Sequence, residues 1–471
     1  MKVIYIADGN GAEIADSVRK IESAGHRVVY WVGAAQGDWE SESCIFHRHT
    51  DARLGKAAPK LAANQYQPAS KELLSKLLKT ESLVASMLRG PLARMRPQQF
   101  RHAYYEMVRY WNGVLDQLTP DAVVFTIVPH HLYSYVIYSL AELKGIKTIM
   151  FEDTWVSDRA LIYHDFFVGS KALQQKISEN KDKQFTLSDL SSDLQSYYRA
   201  HIDESEASVP VYMQQQQGQQ KNIARIIRYL RIIGDTFRKS TLLKIIAEHI
   251  RKRFGHNLQR EYYQLEHQLD FSASYVYVPL NYQPERTTSP QGDVYVDQIL
   301  MIETIAAALP EGWKVYVKEH PSQWWRDGIN YSHARYEGYY KKIAEIKNVE
   351  FVPITTDSRK LIRQAKAVAV VTGNAGWEAI LRSVPALVFG LPFYRDCPVV
   401  MRVESVASCA AAMKKIVDGY AVDHRQVINY LKALDESSVR CYVDNFDETN
   451  SELSKQTRLN NYANAILKEL D

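Results

Sequence analysis

Residues 367–390 read AVAVVTGNAGWEAILRSVPALVFG and decide the fold of this chain. The stretch consists of an apolar run, a turn from Thr372 to Gly376, a helical segment and a second apolar run. Continuous apolar runs of this length are typical of strands buried on both faces of a parallel sheet. A strand that passes through small residues into a helix aims the first backbone N–H groups of that helix at one point. The stretch therefore predicts a doubly wound α/β domain with a phosphate-sized anion site at the turn.

The same alternation of strands and helices occurs in two separate parts of the sequence. In the first part the predicted strands are 2–7, 28–33, 122–128 and 147–152, with 166–170 as a further candidate. In the second part they are 274–280, 313–319, 349–353, 367–373 and 385–390, with a helix predicted from Gly376 to Arg382. The fold class is therefore predicted to be α/β, with two Rossmann-like doubly wound domains facing a central cleft and a helical insertion between them.

The boundaries follow from the changes in pattern along the chain. We place an N-terminal Rossmann-like domain at 1–175, a helical basic insertion or linker at 176–265 and a C-terminal Rossmann-like domain at 266–425. The last segment, 426–471, is predicted to form helices that pack back across the domains.

Composition is that of an ordinary globular protein. The chain has 471 residues and a formal net charge of +4, with 24% charged and 46% hydrophobic residues. These values exclude a collagen, a coiled coil and a wholly disordered chain. Four widely separated cysteines without a C-x-x-C pair predict reduced thiols. Because no secretory signal or long apolar run is visible, we expect a cytoplasmic protein.

One segment departs from this balance. Residues 221–260 contain eleven Lys or Arg and two Asp or Glu. At helical spacing its isoleucines fall on one side and basic residues such as Lys221 and Arg225 on the other. A basic amphipathic helix suits an anionic membrane surface or an acidic, lipid-linked glycan. The alternative is an interdomain helix with a solvated basic face.

A second motif, Lys318-Glu319-His320-Pro321, stands at the end of the predicted strand 313–319. Ligands of doubly wound domains bind outside the carboxyl ends of the strands, so Lys318 and His320 are candidates to meet phosphate oxygens. A lone histidine is more often structural. Trp324 and Trp325 offer faces for stacking on a sugar or base, although core packing explains them equally well.

Other nucleotide motifs are absent from the sequence. Neither half contains G-x-G-x-x-G or a P-loop, which disfavours NAD binding and ATP hydrolysis. No D-x-D stands at a strand end, so we predict no metal requirement and no cofactor. Glu378, near the start of the predicted helix, is a candidate for ribose hydroxyls, with helix capping as the alternative.

VYVKEHP, followed about fifty residues later by VVTGNAGWEAILRSVPALVFG, resembles the bacterial capsule polysaccharide biosynthesis glycosyltransferases, a group that includes the β-Kdo transferases. The similarity spans roughly 274–395, with a weaker echo at 120–162. It implies a GT-B arrangement with the nucleotide-sugar donor on 266–425 and the acceptor on 1–175. It further implies that His320 contacts the phosphate of CMP, that Thr372, Gly373 and Asn374 hold phosphate, and that Glu378 addresses the ribose.

The sequence departs from this family at one motif. Where the family has a Gln followed four residues later by an Asp, this chain has Asn281 and Glu285. The resemblance implies that Glu285 is the carboxylate next to the anomeric carbon, where it could act as a nucleophile. Both the donor and the nucleophile are left open by the substitution.

Acidic and histidine side chains also follow strands of the first half. Glu152, with Asp153 as the alternate, is predicted to act as general base or acid on the acceptor hydroxyl, and capping of the next helix is the competing interpretation. His130 and His131 are predicted to line the acceptor side, unless they are simply loop histidines.

Together these features predict a metal-independent glycosyltransferase. It would transfer an ulosonic acid, Kdo or a related nonulosonic acid, from a CMP-sugar to a surface polysaccharide or lipopolysaccharide acceptor. The partners expected are the nucleotide sugar, a glycan or lipid-linked glycan and an anionic membrane surface at the inner membrane face, with no nucleic acid. The alternatives are a GT-B enzyme that uses a UDP- or GDP-sugar, and a non-catalytic, membrane-docked capsule assembly component.

Overall fold

The computed structural model describes residues 1–7, 15–34, 44–88, 92–93, 95–202, 250, 255–324, 332, 334–441 and 452–471. Most of the basic segment 221–260, Trp325 and the side chain of Trp324 lie outside the described residues, and the predictions made for them stay predictions.

Thirteen strands form two sheets within the described part of the chain. In chain order they are β1 (Lys2–Ile6), β2 (Arg27–Gly33), β3 (Ile45–Arg48), β4 (Ala122–Phe125), β5 (Lys147–Asp153), β6 (Arg159–Tyr163), β7 (Tyr275–Pro279), β8 (Lys314–Lys318), β9 (Val349–Phe351), β10 (Ala367–Val370), β11 (Ala386–Val388), β12 (Met401–Arg402) and β13 (Val439–Arg440).

The described helices connect these strands. They are α1 (Ala15–Ser23), α2 (His49–Arg53), α3 (Lys71–Lys76), α4 (Leu78–Ala85), α5 (Pro97–Leu118), α6 (Leu132–Lys144), α7 (Lys171–Asn180), α8 (Ser192–Ile202), α9 (Leu258–Tyr263), α10 (Gln298–Ala307), α11 (Tyr339–Ala344), α12 (Ser358–Gln364), α13 (Asn374–Leu381), α14 (Val406–Val417), α15 (His424–Ser437) and α16 (Lys455–Leu470). Short 3₁₀ turns occur at Ala63–Gln65, Leu187–Asp189, Asp293–Val296 and Pro321–Trp324.

The two sheets share a doubly wound strand order and differ at one edge. The first runs β13-β6-β5-β4-β1-β2-β3 and the second β12-β11-β10-β7-β8-β9. In the second sheet all strand pairs are parallel, and its order is that of a complete Rossmann fold. In the first sheet β1 to β5 are parallel, while β6 and β13 pair antiparallel at one edge. The predicted α/β class with two doubly wound sheets is confirmed.

Both faces of the first sheet are buried, as its continuous apolar strands predicted. Along β1, Ile4 and Ile6 join one hydrophobic cluster while Val3 and Tyr5 join another, because successive side chains of a strand point to opposite faces. The four cysteines described are unpaired and buried.

Two local predictions need correction. The candidate strand 166–170 is wrong, because the Asp165 carboxylate accepts from the Phe167 amide at 2.8 Å and bends the chain into a turn. The strand that follows β5 in the sheet lies earlier, at β6. The helix predicted from Gly376 begins two residues sooner, at Asn374, so the turn before it is shorter than expected.

The end of the chain returns to the first sheet. Tyr462 of α16 packs on Phe151 with ring centroids 4.5 Å apart, and its hydroxyl is 3.3 Å from that of Tyr5. Upstream of it, β13 extends the sheet, and Asp435 of α15 forms an ion pair with the fully buried Arg159 at 2.6 Å. The first sheet is therefore completed by residues from both ends of the sequence.

Candidate functional site

The strand order brings three loops of the second domain side by side. In that sheet β7 lies between β10 and β8, so the loop after β7 is flanked by the turn before α13 and by the loop after β8. The crossovers run in opposite directions on the two sides of β7, which makes the gap between β7 and β10 the topological switch point. We call Asn281, Gly373 and Asn374 at this gap, together with His320 on the adjoining loop after β8, the switch-point site.

The first component is the N-terminus of α13. Its N-cap is Gly373, at φ −66° and ψ 149°, which supplies no side-chain cap. The first amides of a helix have no intrahelical acceptor, so this end remains able to bind an anion. The Gly373 carbonyl is held by the Tyr394 hydroxyl at 2.6 Å and by the Gly376 amide at 3.1 Å, and Asn374 is exposed. A short, fixed and uncapped helix terminus therefore opens at the switch point.

Asn281 faces this terminus. A Cβ atom built on Gly373 would lie 3.5 Å from its Nδ2 and 3.8 Å from its Oδ1. The residue is 8% exposed, and Oδ1 is buried without a hydrogen-bond partner among the described residues. Leaving a buried amide oxygen unpaired is costly, so a polar ligand is expected to bind there. The resemblance pairs Asn281 with the family's Gln, but Asn281 is not among the site residues predicted from the sequence.

His320 lies on the loop after β8, beside the loop that carries Asn281, and its ring centroid is 6.0 Å from that of Tyr282. The Ser322 amide donates to its Nδ1 at 3.2 Å, so the neutral ring carries its proton on Nε2. Burial lowers the pKa of His320, and the neighbouring Glu319 carboxylate opposes that change. Because the residue is still partly exposed, a neutral imidazole N–H can donate to a ligand in the site.

Two predicted phosphate ligands bond to the protein itself. The Thr372 hydroxyl donates to the Thr287 carbonyl at 2.6 Å. The Lys318 ammonium donates to the Thr356 carbonyl and to the Ser358 hydroxyl, the latter at 2.9 Å. Burial lowers the pKa of Lys318 to about 8. Both side chains therefore fasten neighbouring loops, and a direct phosphate contact by either stays a prediction.

Glu378 lies one helical turn further along α13. It is the fifth residue of the helix and faces Arg382, with Oε2 3.6 Å from the guanidinium nitrogen. Burial raises the pKa of Glu378, although 35% of its side chain is exposed. Its position beyond the first turn disfavours the capping alternative and leaves it able to accept from hydroxyl groups.

Glu285 lies on the loop after β7 but outside the buried part of the site. Its carboxylate accepts from the Thr287 hydroxyl at 3.1 Å, and the residue is exposed. Its role as the carboxylate at the anomeric carbon stays a prediction.

Glu152 lies where the two domains meet. It stands at the carboxyl end of β5, is 3% exposed, and its Oε2 has no hydrogen-bond partner among the described residues. Burial raises the pKa of Glu152, and the charges of Arg286 and Arg395 oppose the rise. Gln291 and Arg395 of the second domain each contribute another buried polar atom without a partner in the described chain. We call Glu152, Gln291 and Arg395 the junction cluster.

The other acceptor-side residues have structural contacts. Asp153 accepts from the Trp155 amide at 2.9 Å in the turn after β5. His131 is buried and stacks on Tyr133, with ring centroids 6.2 Å apart, and the His130 ring bonds to the Val128 carbonyl at 3.2 Å. Their predicted contacts with an acceptor stay predictions.

Two features are absent from the described residues, a metal-binding cluster and a membrane-spanning helix. No group of three His, Cys, Asp or Glu side chains in the described ranges could hold a metal ion. Among the described helices, none combines the length and the apolar character needed to cross a membrane.

The fold and the site define a class of protein. Two Rossmann-like sheets whose carboxyl ends meet at the junction cluster, with an uncapped helix terminus at the switch point of the second, form a GT-B-like architecture. Residues 188–400 match the family described as capsule polysaccharide biosynthesis protein. The match contains the whole switch-point site and confirms the resemblance that the His-Pro and TGNAGWEAI motifs predicted. Over this segment the chain is similar to capsule polysaccharide biosynthesis proteins.

Several solved structures are also similar. The β-Kdo 2,4 transferase of Thermosulfurimonas dismutans is 12% identical, with 73% of this chain and 87% of that chain covered and a TM-score of 0.34. Its β-Kdo 2,7 transferase is 10% identical, with 84% and 97% covered and a TM-score of 0.29. The UDP-GlcNAc 2-epimerase of Methanocaldococcus jannaschii is 12% identical, with 88% and 92% covered and a TM-score of 0.24. No curated protein matches the sequence.

Proposed function

We propose that this protein is a GT-B glycosyltransferase that transfers an ulosonic acid from a CMP-activated donor to a surface glycan. One observation carries the proposal: the uncapped terminus of α13 lies next to Asn281, whose amide oxygen is buried without a partner among the described residues, and His320 is on the adjoining loop after β8. Hydrogen-bond donors such as the α13 amides and the His320 N–H suit the oxygens of a phosphate. The buried amide oxygen of Asn281 suits a hydroxyl group of the sugar or ribose attached to that phosphate. The family match supports the capsule context.

The donor phosphate is placed on the amides of α13, and Glu378 accepts from the ribose. The Asn281 amide has a donor and an acceptor at the same end, so Nδ2 can contact the phosphate while Oδ1 accepts from a hydroxyl. Such an arrangement needs no change in the fold, because Gly373 leaves the approach to the helix terminus open.

In the reaction, the acceptor hydroxyl attacks the anomeric carbon and the bond to the phosphate oxygen breaks, with its electron pair leaving on CMP. The departing phosphate gains negative charge, so hydrogen bonds from His320 Nε2–H and the α13 amides strengthen in the transition state. We assign the acceptor proton to Glu152, whose raised pKa brings it closer to the range useful for a general base. Glu285 is the proposed carboxylate beside the anomeric carbon.

The test compares nucleotides and two histidine variants. CMP should raise the thermal stability of the wild type more than UDP or GDP, since a ligand that binds only the native state stabilises it by RT ln(1 + [L]/Kd). His320→Ala should lower the rate of transfer from CMP-Kdo by roughly 100-fold or more. His102→Ala, on the exposed face of α5, is the matched control and should have no effect.

Three outcomes would contradict parts of the proposal. Greater stabilisation by UDP or GDP would assign the site to another nucleotide sugar. Full transfer activity in His320→Ala would remove the imidazole from the reaction, and absence of turnover with retained liposome binding would favour an assembly component without catalysis.

A further inference from the structure

A buried ion pair lies directly beneath the switch-point site. Glu319 and Arg335 have side chains that are 0% exposed, and Arg335 Nε is 2.8 Å from Glu319 Oε2. A buried ion pair contributes little net stability compared with apolar packing, so its energetic value alone does not explain its presence. Its presence is explained by its contacts with the loop that carries Asn281 and the loop that carries His320.

One guanidinium reaches the loop that carries Asn281. Arg335 Nη2 donates to the Asn281 carbonyl at 3.0 Å, and Nη1 donates to Gln283 Oε1 at 2.6 Å. Gln298 of α10 also bonds to this loop. Its Oε1 accepts from the backbone N–H of Asn281 at 2.7 Å, and its Nε2 donates to Gln283 Oε1 at 2.8 Å. The backbone of Asn281 is thus fixed at both its N–H and its C=O.

The same guanidinium reaches the loop that carries His320 through Glu319. Glu319 Oε1 accepts from the His320 amide at 2.7 Å, and Oε2 accepts from the Tyr340 hydroxyl at 2.5 Å. Arg335 also stacks on the ring of Tyr339, with the guanidinium carbon 4.5 Å from the centroid. A planar, five-donor group is suited to bridging several fixed acceptors at once, which a lysine cannot do.

We propose that Arg335 is a positioning residue of the donor site: through its simultaneous bonds to Asn281, Gln283 and Glu319 it sets the separation between the Asn281 amide and the His320 imidazole. The inference deepens the proposed function and rests on it, because the two side chains so spaced are those assigned to the donor. Arg335 itself touches no ligand. It stands outside every sequence motif, in a segment that the strand and helix patterns did not single out.

The test uses a charge-preserving substitution in two comparable ion pairs. Arg335→Lys keeps the buried positive charge but loses the bridging geometry. Arg159→Lys makes the same change in the other domain, where a fully buried arginine pairs with Asp193 and Asp435, and serves as the matched control. Misplacing reacting groups by about 1 Å can cost roughly 100-fold in rate. We expect kcat of Arg335→Lys to fall between about tenfold and 100-fold, with Arg159→Lys at the wild-type rate.

A second readout is independent of turnover. The imidazole of His320, followed by NMR in the free protein, should titrate at a lower pKa in Glu319→Gln, because the Glu319 carboxylate raises the pKa of His320. In Arg335→Lys its resonance should shift relative to the wild type, whereas in Arg159→Lys it should not.

The outcomes separate the two ideas. If Arg335→Lys and Arg159→Lys have the same kcat and the same His320 resonance, Arg335 serves stability alone and the inference is overturned. If the wild type neither binds CMP nor transfers the sugar, the proposed function fails. The shift of the His320 resonance in Arg335→Lys would still support the positioning role.

Discussion

Replacement of Gly373 by alanine tests whether a phosphate approaches the terminus of α13. The backbone at Gly373 has φ −66°, which any residue adopts, and the added Cβ would make ordinary contacts of 3.5 Å with Asn281 and 3.7 Å with Val370. At a position whose conformation alanine can adopt, replacing glycine stabilises a protein by about 0.4–1 kcal/mol through the unfolded state. The free energy of unfolding should therefore stay equal or rise slightly.

Binding should change in the opposite direction. The methyl group would occupy the space in front of the first α13 amides and the Asn281 side chain. A charge-assisted hydrogen bond contributes about 1.5–3 kcal/mol, so the loss of one lowers the affinity for CMP by roughly tenfold to 100-fold.

The assay is thermal or chemical unfolding with and without CMP. At about 100 times Kd, the ligand stabilises the wild type by about 2.7 kcal/mol. A hundredfold weaker affinity leaves RT ln 2, or about 0.4 kcal/mol, at the same concentration. Gly376→Ala is the comparison variant, because its Cβ would come within 2.5 Å of the Tyr394 hydroxyl and should destabilise the fold by about 1–3 kcal/mol. Undiminished stabilisation of Gly373→Ala by CMP would refute the placement of the phosphate.

Two further predictions concern buried ionisable groups. Burial raises the pKa of Glu152, so its contribution to stability is fully present below the unfolded pKa and is lost as the pH rises through the folded pKa. Glu152→Gln should remove this loss in urea titrations across that range and should abolish transfer. Wild-type activity in this variant would exclude Glu152 as the general base. Burial lowers the pKa of Lys318 to about 8, so its contribution to stability is present above the unfolded pKa near 10.5 and is lost as the pH falls toward 8. Lys318→Met should flatten this part of the profile of stability against pH. An unchanged slope between pH 8 and pH 10 would show that another group titrates.

Much of the second domain could be predicted from the sequence, since its buried parallel strands are continuous apolar runs that the helix pattern separates. The match of residues 188–400 to the capsule polysaccharide family was likewise predictable, because VYVKEHP and TGNAGWEAI are each an unbroken stretch of sequence. The erroneous strand at 166–170 shows the limit of pattern alone. Its aromatic residues favoured a strand, but the Asp165 side chain accepts from the backbone N–H two residues on, so the segment forms a turn.

The sequence could not show which polar side chains bond to the protein itself and which keep an atom for a ligand. Lys318 and His320 are two residues apart, yet the ammonium bonds to the loop before α12, whereas the imidazole accepts from the Ser322 amide at Nδ1 and keeps Nε2 for another partner. Asn281 looked like an imperfect match to a family motif, whereas the structure shows its amide oxygen buried without a partner among the described residues.

The sequence by itself determined the class of fold, the start of α13 to within two residues and the motif that carries His320, because these depend on hydrophobic periodicity and on short contiguous segments. Tertiary structure alone decided that Arg335 spans Asn281 and Glu319, and that Glu152 meets Gln291 and Arg395. Those contacts join residues distant along the chain, and their geometry depends on how strands, loops and two domains pack, which no local pattern encodes.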